Sequence, residues 1–447
     1  MISGTIRITG ALAVAVALAA AAPSAQSGRT AWTTPTQAEV DAMYPDIEAL
    51  YVDLHRNPEL AFMETQTAAK LAARVKALGF DVTTGVGKTG IVAIMRNGPG
   101  PTVMMRTELD ALPVAERTDL PFASTVVVTN ANGQSTPVMH ACGHDLHMSA
   151  WAGTARLMAE HRNDWSGTLV MVGQPAEETS SGAAAMLKDG LFTRFPRPDF
   201  ALSLHDDDTM PSGTIGYHPG NFRAMSDAVT ITVYGRGGHA AMPHSTIDPV
   251  VLAARIVVAL QTVVSRENNP VEPVVVTVGS IHGGTAGNVI PDEVRLQLSV
   301  RTYTTEVRTR TLNAIRRIAK GEAIAAGAAR EPQVEAAAQA NNTPVYNDPP
   351  LTLRLAAALK KGLGDDRVIE MPQKMTSEDF SAYGVAGVPS VLLHIGAVAP
   401  AKLRAARESG IPVPAPHSPE WVPDREPTLK GAVRAEVTAL LELLRKN

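Results

Sequence analysis

Short apolar runs with strand character alternate with helical stretches along most of this chain, and one long central segment breaks the alternation. Apolar positions three and four apart predict helix from Gln37 to about Leu78, through Val40, Met43, Ile47, Leu50 and Leu54 and again through Leu71, Val75 and Leu78. Strand-like runs follow at Gly90–Met95 and Thr102–Met105, then a helical stretch near Met148–His161 and a strand at Thr168–Val172. Strands alternating with helices specify an α/β sheet covered by helices. In such sheets chemistry collects just past the carboxyl ends of the strands, which puts Glu108, Asp110, Glu177 and Glu178 at the working edge.

From about Ala224 to Glu335 the order becomes βαββαβ: Val229–Tyr234, helical Asp248–Arg266, Val274–Ile281, Val294–Tyr303, helical Val307–Ala326 and a short closing strand at Gln333–Ala336. That is the ferredoxin-like pattern, an α+β unit able to form a domain of its own. Helical Leu351–Gly362, the apolar strand Ser390–His394 and helical Thr428–Leu444 then return to the first pattern. The reading is a discontinuous main domain, 32–223 and 336–447, interrupted by an inserted domain at 224–335. Ahead of both, Arg7, the apolar run Ala11–Ala22 and the small residues to Ser27 have the layout of a secretory signal over 1–27, with cleavage after Ser24 or Ser27. No later stretch reaches about 18 uninterrupted apolar residues. The expectation is an exported protein, periplasmic or extracellular, without stable membrane insertion.

Composition narrows the chemistry. A formal charge of −4 and a pI near 6.3 give no electrostatic footprint for nucleic acid. The 447 residues include 12 His and a single Cys, so no intramolecular disulfide framework exists, and the lone thiol of an exported chain needs a reason. That thiol is Cys142, inside Met139-His140-Ala141-Cys142-Gly143-His144-Asp145-Leu146-His147. Thiolate and imidazole suit divalent transition metals, a turn at Gly143 lets Cys142 and His144 converge, and Asp145 can orient a ring from behind. Gln174-Pro175-Ala176-Glu177-Glu178 ends an apolar strand, where two adjacent carboxylates are costly without a cation. One carboxylate ligating and the other acting as base resolves that cost. His205 and His417 also follow apolar or proline-rich stretches, and either taken alone reads more readily as a structural histidine than as a ligand. His239 in a Gly-rich turn and Asn288 in Gly283-Gly284-Thr285-Ala286-Gly287-Asn288 are turn residues that can also deliver donors to an oxyanion or a substrate carboxylate. HExxH, Walker A and GxSxG templates are absent, and no GxGxxG follows a strand-like run.

Seven ordered motifs carry a family resemblance: Leu54-His55-Arg56-Asn57-Pro58-Glu59-Leu60, Arg106-Thr107-Glu108-Leu109-Asp110-Ala111-Leu112-Pro113, His140-Ala141-Cys142-Gly143-His144-Asp145, Gln174-Pro175-Ala176-Glu177-Glu178, Gly238-His239-Ala240, Gly284-Thr285-Ala286-Gly287-Asn288-Val289-Ile290-Pro291 and Ser377-Glu378-Asp379-Phe380. In this order they resemble the M20 metallopeptidases, and within them the branch of hippurate hydrolase, N-acyl-amino-acid amidohydrolases and auxin-conjugate hydrolases. The resemblance runs over nearly everything after residue 40. It implies a catalytic domain with two divalent metal ions (Zn, Mn, Ni or Co) and a smaller lid domain that also mediates homodimerisation. Matched residue by residue, Cys142 resembles the bridging thiolate, and His144, Glu178, His205 and His417 resemble the other ligands. Glu177 resembles the general base, and His239 and Asn288 resemble lid residues that reach an active site, in part from a partner subunit.

Two departures stand out. Arg106-Thr107-Glu108 occupies the place where many M20 enzymes carry a His-x-Asp ligand pair, and the branch commonly has Asp where Glu108 stands. Glu108 and Asp110 therefore receive no role beyond supporting the ligands. Asp206-Asp207-Asp208 beside His205 is unusually acidic and bears on metal affinity or substrate charge. The implied activity is hydrolysis of the amide joining an acyl or aryl-acyl group to an amino acid, by a metal-activated water with Glu177 as base. An exported carboxypeptidase or dipeptidase on the same fold is the alternative, followed by a non-catalytic metal- or ligand-binding protein.

Overall fold

The computed structural model describes residues 1–5, 32–129, 133–337 and 343–446. The chain divides into two units between Trp32 and Thr33. Met1–Thr5 form no helix or strand, and the stretch read as an export signal lies, from residue 6 onward, outside the described residues.

From Thr33, the long N-terminal helical pattern forms two helices. The first, Gln37–Arg56, starts at a capping box between Thr36 and Glu39 and buries Val40, Met43, Ile47, Leu50 and Leu54. It stops at Asn57 because Pro58 disfavours helical geometry in the residue before it. The second helix spans Thr65–Ala77.

The main sheet has eight strands, in the order Asp81–Val86, Gly90–Asn97, Gly167–Gln174, Thr102–Glu108, Phe200–Pro211, Ser390–Val398, Ile215–Tyr217 and Val368–Glu370. Gly167–Gln174, Thr102–Glu108, Phe200–Pro211 and Ser390–Val398 are mutually parallel, and antiparallel strands flank them. Helices Gln37–Arg56, His144–Glu160 and Arg425–Leu444 pack against one another over the sheet, around the fully buried Trp151. The carboxyl ends of the central strands deliver Glu108, Asp110, Glu177 and Glu178 to one edge, as the alternation predicts. His205 differs from its reading. It lies within Phe200–Pro211 rather than after it, because Asp206 and Asp207 find buried partners and the ladder continues through the pairs His205–His394, Asp206–Ile395 and Asp207–Gly396.

The inserted segment forms its own four-stranded sheet, ordered Val275–His282, Glu293–Thr302, Met225–Tyr234 and Gln333–Ala337, with every pairing antiparallel. This is the ferredoxin-like strand order. Helices Pro249–Thr262 and Thr305–Ala325 cover one face and enclose a separate core of Ile231, Leu252, Ile256, Leu260, Leu296 and Ile315. The helical run Pro249–Glu267 has the length and mean hydropathy, 1.5, of a membrane span. Its Leu252, Ala253, Ile256 and Leu260 are nonetheless committed to this core.

Candidate metal centre

Cys142 and His144 flank the turn that opens helix His144–Glu160. Gly143 sits there at φ +73°, and a Cβ at this position would stand 2.6 Å from Asp206 Oδ2. Only glycine allows both the left-handed backbone and that approach. His144 donates its Nδ1 proton to the Asp110 carbonyl at 2.7 Å, which leaves Nε2 as the ring atom facing the candidate ligands. Nε2 is buried without a hydrogen-bond partner, 3.8 Å from Glu178 Oε1 and 3.9 Å from Glu177 Oε2. His205 is turned in the same way, with Nδ1 on the Asp206 carbonyl at 2.8 Å and Nε2 3.6 Å from Cys142 Sγ. His417, at φ +72° on a loop tied by its own N–H to the Ala141 carbonyl, brings Nε2 to 3.3 Å from Glu178 Oε2.

Candidate ligand atoms of Cys142, His144 and His205 lie within 4.8 Å of one another, and so do those of Cys142, Glu178 and His417. The thiol is common to both groups. Glu178 Oε1, like His144 Nε2, is buried and unpaired. Burial opposes charging the His144 ring, yet the hydrogen bond to Asp110 and the charges of Glu108 and Glu178 outweigh it and hold the pKa up at about 10. The chain thus demands positive charge at this point, and thiolate, imidazole and carboxylate together form a donor set for a divalent transition metal.

Asp110 anchors the neighbouring turn. Its two carboxylate oxygens accept the backbone N–H groups of Glu177 and Glu178, each at 3.0 Å. Ala176, at φ +51°, donates its N–H to Glu64 Oε1 at 2.9 Å. Two buried carboxylates from elsewhere in the chain therefore hold the Glu177–Glu178 turn. Glu108 pairs with Arg106, which also holds Glu378 at 2.8 Å and Asp379 at 3.1 Å. The other Glu108 oxygen meets His147 Nδ1 at 3.1 Å, and His147 Nε2 accepts the Asp206 N–H at 2.8 Å. His147 thereby holds the N–H of Asp206, the residue whose carbonyl meets the His205 ring. His140, from the same motif, is buried with neither ring nitrogen bonded, and burial lowers its pKa to about 4, so it is a neutral packing side chain.

Burial, followed by the neighbouring carboxylates Glu378, Glu178 and Asp379, pushes the Glu177 pKa well above the ordinary carboxylate range, against the opposing charge of Arg106. Glu177 and Glu178 line a cleft of about 470 Å³ together with Cys142, His205 and His417. The acidic run is largely neutralised. Asp206 Oδ1 lies 3.0 Å from His205 Nδ1, and Asp207 accepts from His394 Nδ1 at 2.8 Å and pairs with Lys374, whose ammonium is also 3.8 Å from Asp208.

His239 and Asn288 do not line this cleft. Their loops meet in a separate two-stranded sheet, where Gly238–His239 pairs with Val289–Ile290 and the Ala240 N–H donates to the Asn288 carbonyl. Sequence reading missed Arg301, from strand Glu293–Thr302, which reaches the cleft and bonds Ser299 Oγ at 3.2 Å and Ser377 Oγ at 3.1 Å with no carboxylate partner among the described residues. The signal available was a charged residue ending an alternating strand, which solvent exposure explains equally well.

The fold and this donor set define a metal-dependent hydrolase acting on linear amides. The chain belongs to peptidase family M20/M25/M40, whose family model matches residues 104–408. It is 36% identical to an N-acetyl-L-cysteine deacetylase of Bacillus subtilis, over 74% of this chain and 75% of that protein. To an N-acetyldiaminopimelate deacetylase of Leuconostoc citreum it is also 36% identical, over 77% and 86%. Among solved structures, the Bacillus subtilis YxeP protein, a dinuclear metal-binding peptidase of the M20 family, superposes with a TM-score of 0.71 at 28% identity, covering 90% of this chain and 99% of that one.

Proposed function

We propose that this enzyme hydrolyses the amide bond between an acyl group and an amino acid, with Glu177 as general base. The observation that carries the reading is the meeting, in one cleft, of a buried carboxyl of raised proton affinity with a thiol, the His205 and His417 imidazoles and a second carboxylate, with His144 Nε2 3.8 Å from that carboxylate. Cys142, His144, Glu178, His205 and His417 would hold two divalent ions, with Cys142 shared; the dinuclear character of the YxeP relative supports the pair. Bound there, the ions supply Lewis acidity toward the scissile carbonyl and toward water. Glu177 accepts a proton from the attacking water and returns it to the leaving amine. Arg301, a cation in the cleft without a carboxylate partner among the described residues, binds the substrate's free carboxylate. His239 and Asn288 complete the site from the inserted domain, which acts as a lid, by hydrogen bonding to the oxyanion or that carboxylate.

The names of the two deacetylase relatives support an N-acyl amino acid as substrate. Export rests on the 1–27 reading and is tested by cell fractionation. Homodimerisation through the lid is supported by the free edge of strand Val275–His282 and by exposed Val250, Val251 and Val258 on the lid helix, and light scattering tests it. The decisive experiment is a panel of N-acyl amino acids and dipeptides run with Zn, Mn, Ni and Co reconstitution. Preferential turnover of the N-acyl amino acids is the expected result, and faster cleavage of dipeptides overturns the reading in favour of a peptidase.

A further inference from the structure

Arg223 ends the short strand Gly220–Arg223, just before the chain enters the inserted domain, and lines the cleft at only 5% exposure. A guanidinium offers only N–H donors and keeps its charge, so at such depth it calls for an anion. Among the described residues Arg223 has none. Its Nε and Nη2 meet His394 Nε2 at 3.3 and 3.1 Å, and its Nη1 reaches the Ser377 carbonyl at 3.5 Å. Glu378, the carboxylate next to Ser377 in the chain, is bonded to Arg106 instead.

These contacts aim the group. Because Arg223 can only donate, His394 Nε2 accepts, which puts the ring proton on Nδ1, where it is donated to Asp207 Oδ2 at 2.8 Å. The acidic run beside His205 thus acts on the cleft at one remove: Asp207 fixes the ring, and the ring fixes the guanidinium. One N–H on each terminal nitrogen of Arg223 is left over, and that pair is the fork that matches a carboxylate. Arg301 bonds the same residue, through Ser377 Oγ at 3.1 Å, and also lacks a carboxylate partner among the described residues. A single substrate carboxylate offsets only one of these two charges.

Resting on the proposed amidohydrolase reading, we infer that Arg223 is a specificity-determining residue that binds a second carboxylate on the amino-acid half of the substrate, so that amino acids with an acidic side chain are preferred over neutral ones. In that reading Arg301 takes the free α-carboxylate. Both guanidiniums are anchored to Ser377, so the carboxylates they receive lie close together, as on aspartate or glutamate. A carboxylate on the acyl group is instead separated from the α-carboxylate by the scissile amide. A carboxamide side chain in the same place leaves the buried guanidinium without a counter-ion.

The test uses the full metal-reconstituted enzyme with the near-isosteric pair N-acetyl-L-glutamate and N-acetyl-L-glutamine. The unmodified enzyme is expected to favour the glutamate compound by at least about tenfold in kcat/KM, and calorimetry with the released amino acids should show tighter binding of L-glutamate than of L-glutamine. Arg223→Gln, which removes the charge but keeps a donor for His394, should collapse the kcat/KM ratio toward unity. Comparable turnover of both compounds by the unmodified enzyme overturns the inference and leaves the amidohydrolase reading intact, whether or not the variant folds. A glutamate preference that survives in Arg223→Gln overturns the assignment to Arg223. Faster turnover of N-succinyl-L-glutamine than of N-acetyl-L-glutamate puts the second carboxylate on the acyl half, again against the inference. Failure to cleave either acetyl compound, while L-alanyl-L-glutamate is hydrolysed, overturns the amidohydrolase reading and with it the inference.

Discussion

Four histidines of the main-sheet region and the three of the inserted segment are held in opposite ways, while His417, an exposed candidate ligand, is fixed through its loop. His144, His147, His205 and His394 are each at most 4% exposed, and each has at least one ring nitrogen fixed by a backbone or carboxylate partner. His239, His244 and His282 of the inserted segment are exposed, and the one hydrogen bond seen to the His239 ring comes from Ala241, two residues away in its own loop. Buried rings are orientated before any ligand arrives, which is what metal binding requires. An exposed ring is held by almost nothing, which suits a group that meets substrate only after a movement.

Substitutions at the two kinds of site should fail differently. The largest effect is expected from Glu177→Gln, with turnover falling about 10²–10⁴-fold while metal analysis shows full occupancy; normal turnover in the metal-loaded variant removes Glu177 from its role. Cys142→Ala should lose both metal and activity, because both candidate ligand groups contain that thiol. His239→Ala is expected to lower kcat by about 10²-fold with metal content and melting temperature unchanged. Loss of metal in that variant would erase the contrast between the two regions.

Asp110→Asn leaves one of the two N–H groups of the Glu177–Glu178 turn without its acceptor oxygen, and a drop of about 10–100-fold in metal affinity or activity should follow. An unchanged metal titration would show that the turn holds itself. The smallest effect is on stability. Glu436, buried on helix Arg425–Leu444 with Thr154 donating at 2.6 Å, has its pKa raised from 4.5 to about 8 by burial. The folded chain binds this proton more tightly than the unfolded one, so the associated stability is complete below about pH 4.5 and is lost as pH rises through 8. Glu436→Gln should therefore melt several degrees above the parent at pH 9, with the gap closing by pH 5. A difference independent of pH would show that the carboxyl is already ionised in the fold.

Much of this site was legible in the residues. Cys142, His144 and the Glu177–Glu178 pair stand in local patterns whose chemistry shows at short range, and the βαββαβ order identified the inserted unit. His205 and His417 were legible only through the resemblance, since nothing within a few positions of either distinguishes a ligand from a packed histidine. Asp110 was legible only as support for the ligands, and His147 and Arg301 could not be assigned at all. Their roles lie in contacts with residues at least 34 positions away, such as Asp110 with His144, His147 with Glu108 and Arg301 with Ser377.

By itself, then, the sequence determined the kinds of donor available, the sheet edge that carries several of them and the glycine turn that lets Cys142 and His144 converge, because these depend on residue chemistry, periodicity and local backbone freedom. Tertiary structure decided which nitrogen of each ring faces the ligands, that Asp206 packs against Gly143 while its backbone links His147 to His205, and which side chains line the cleft. Each of these is set by which side chains meet across the parallel strands, and the strand register that brings them together belongs to the whole sheet rather than to any one segment.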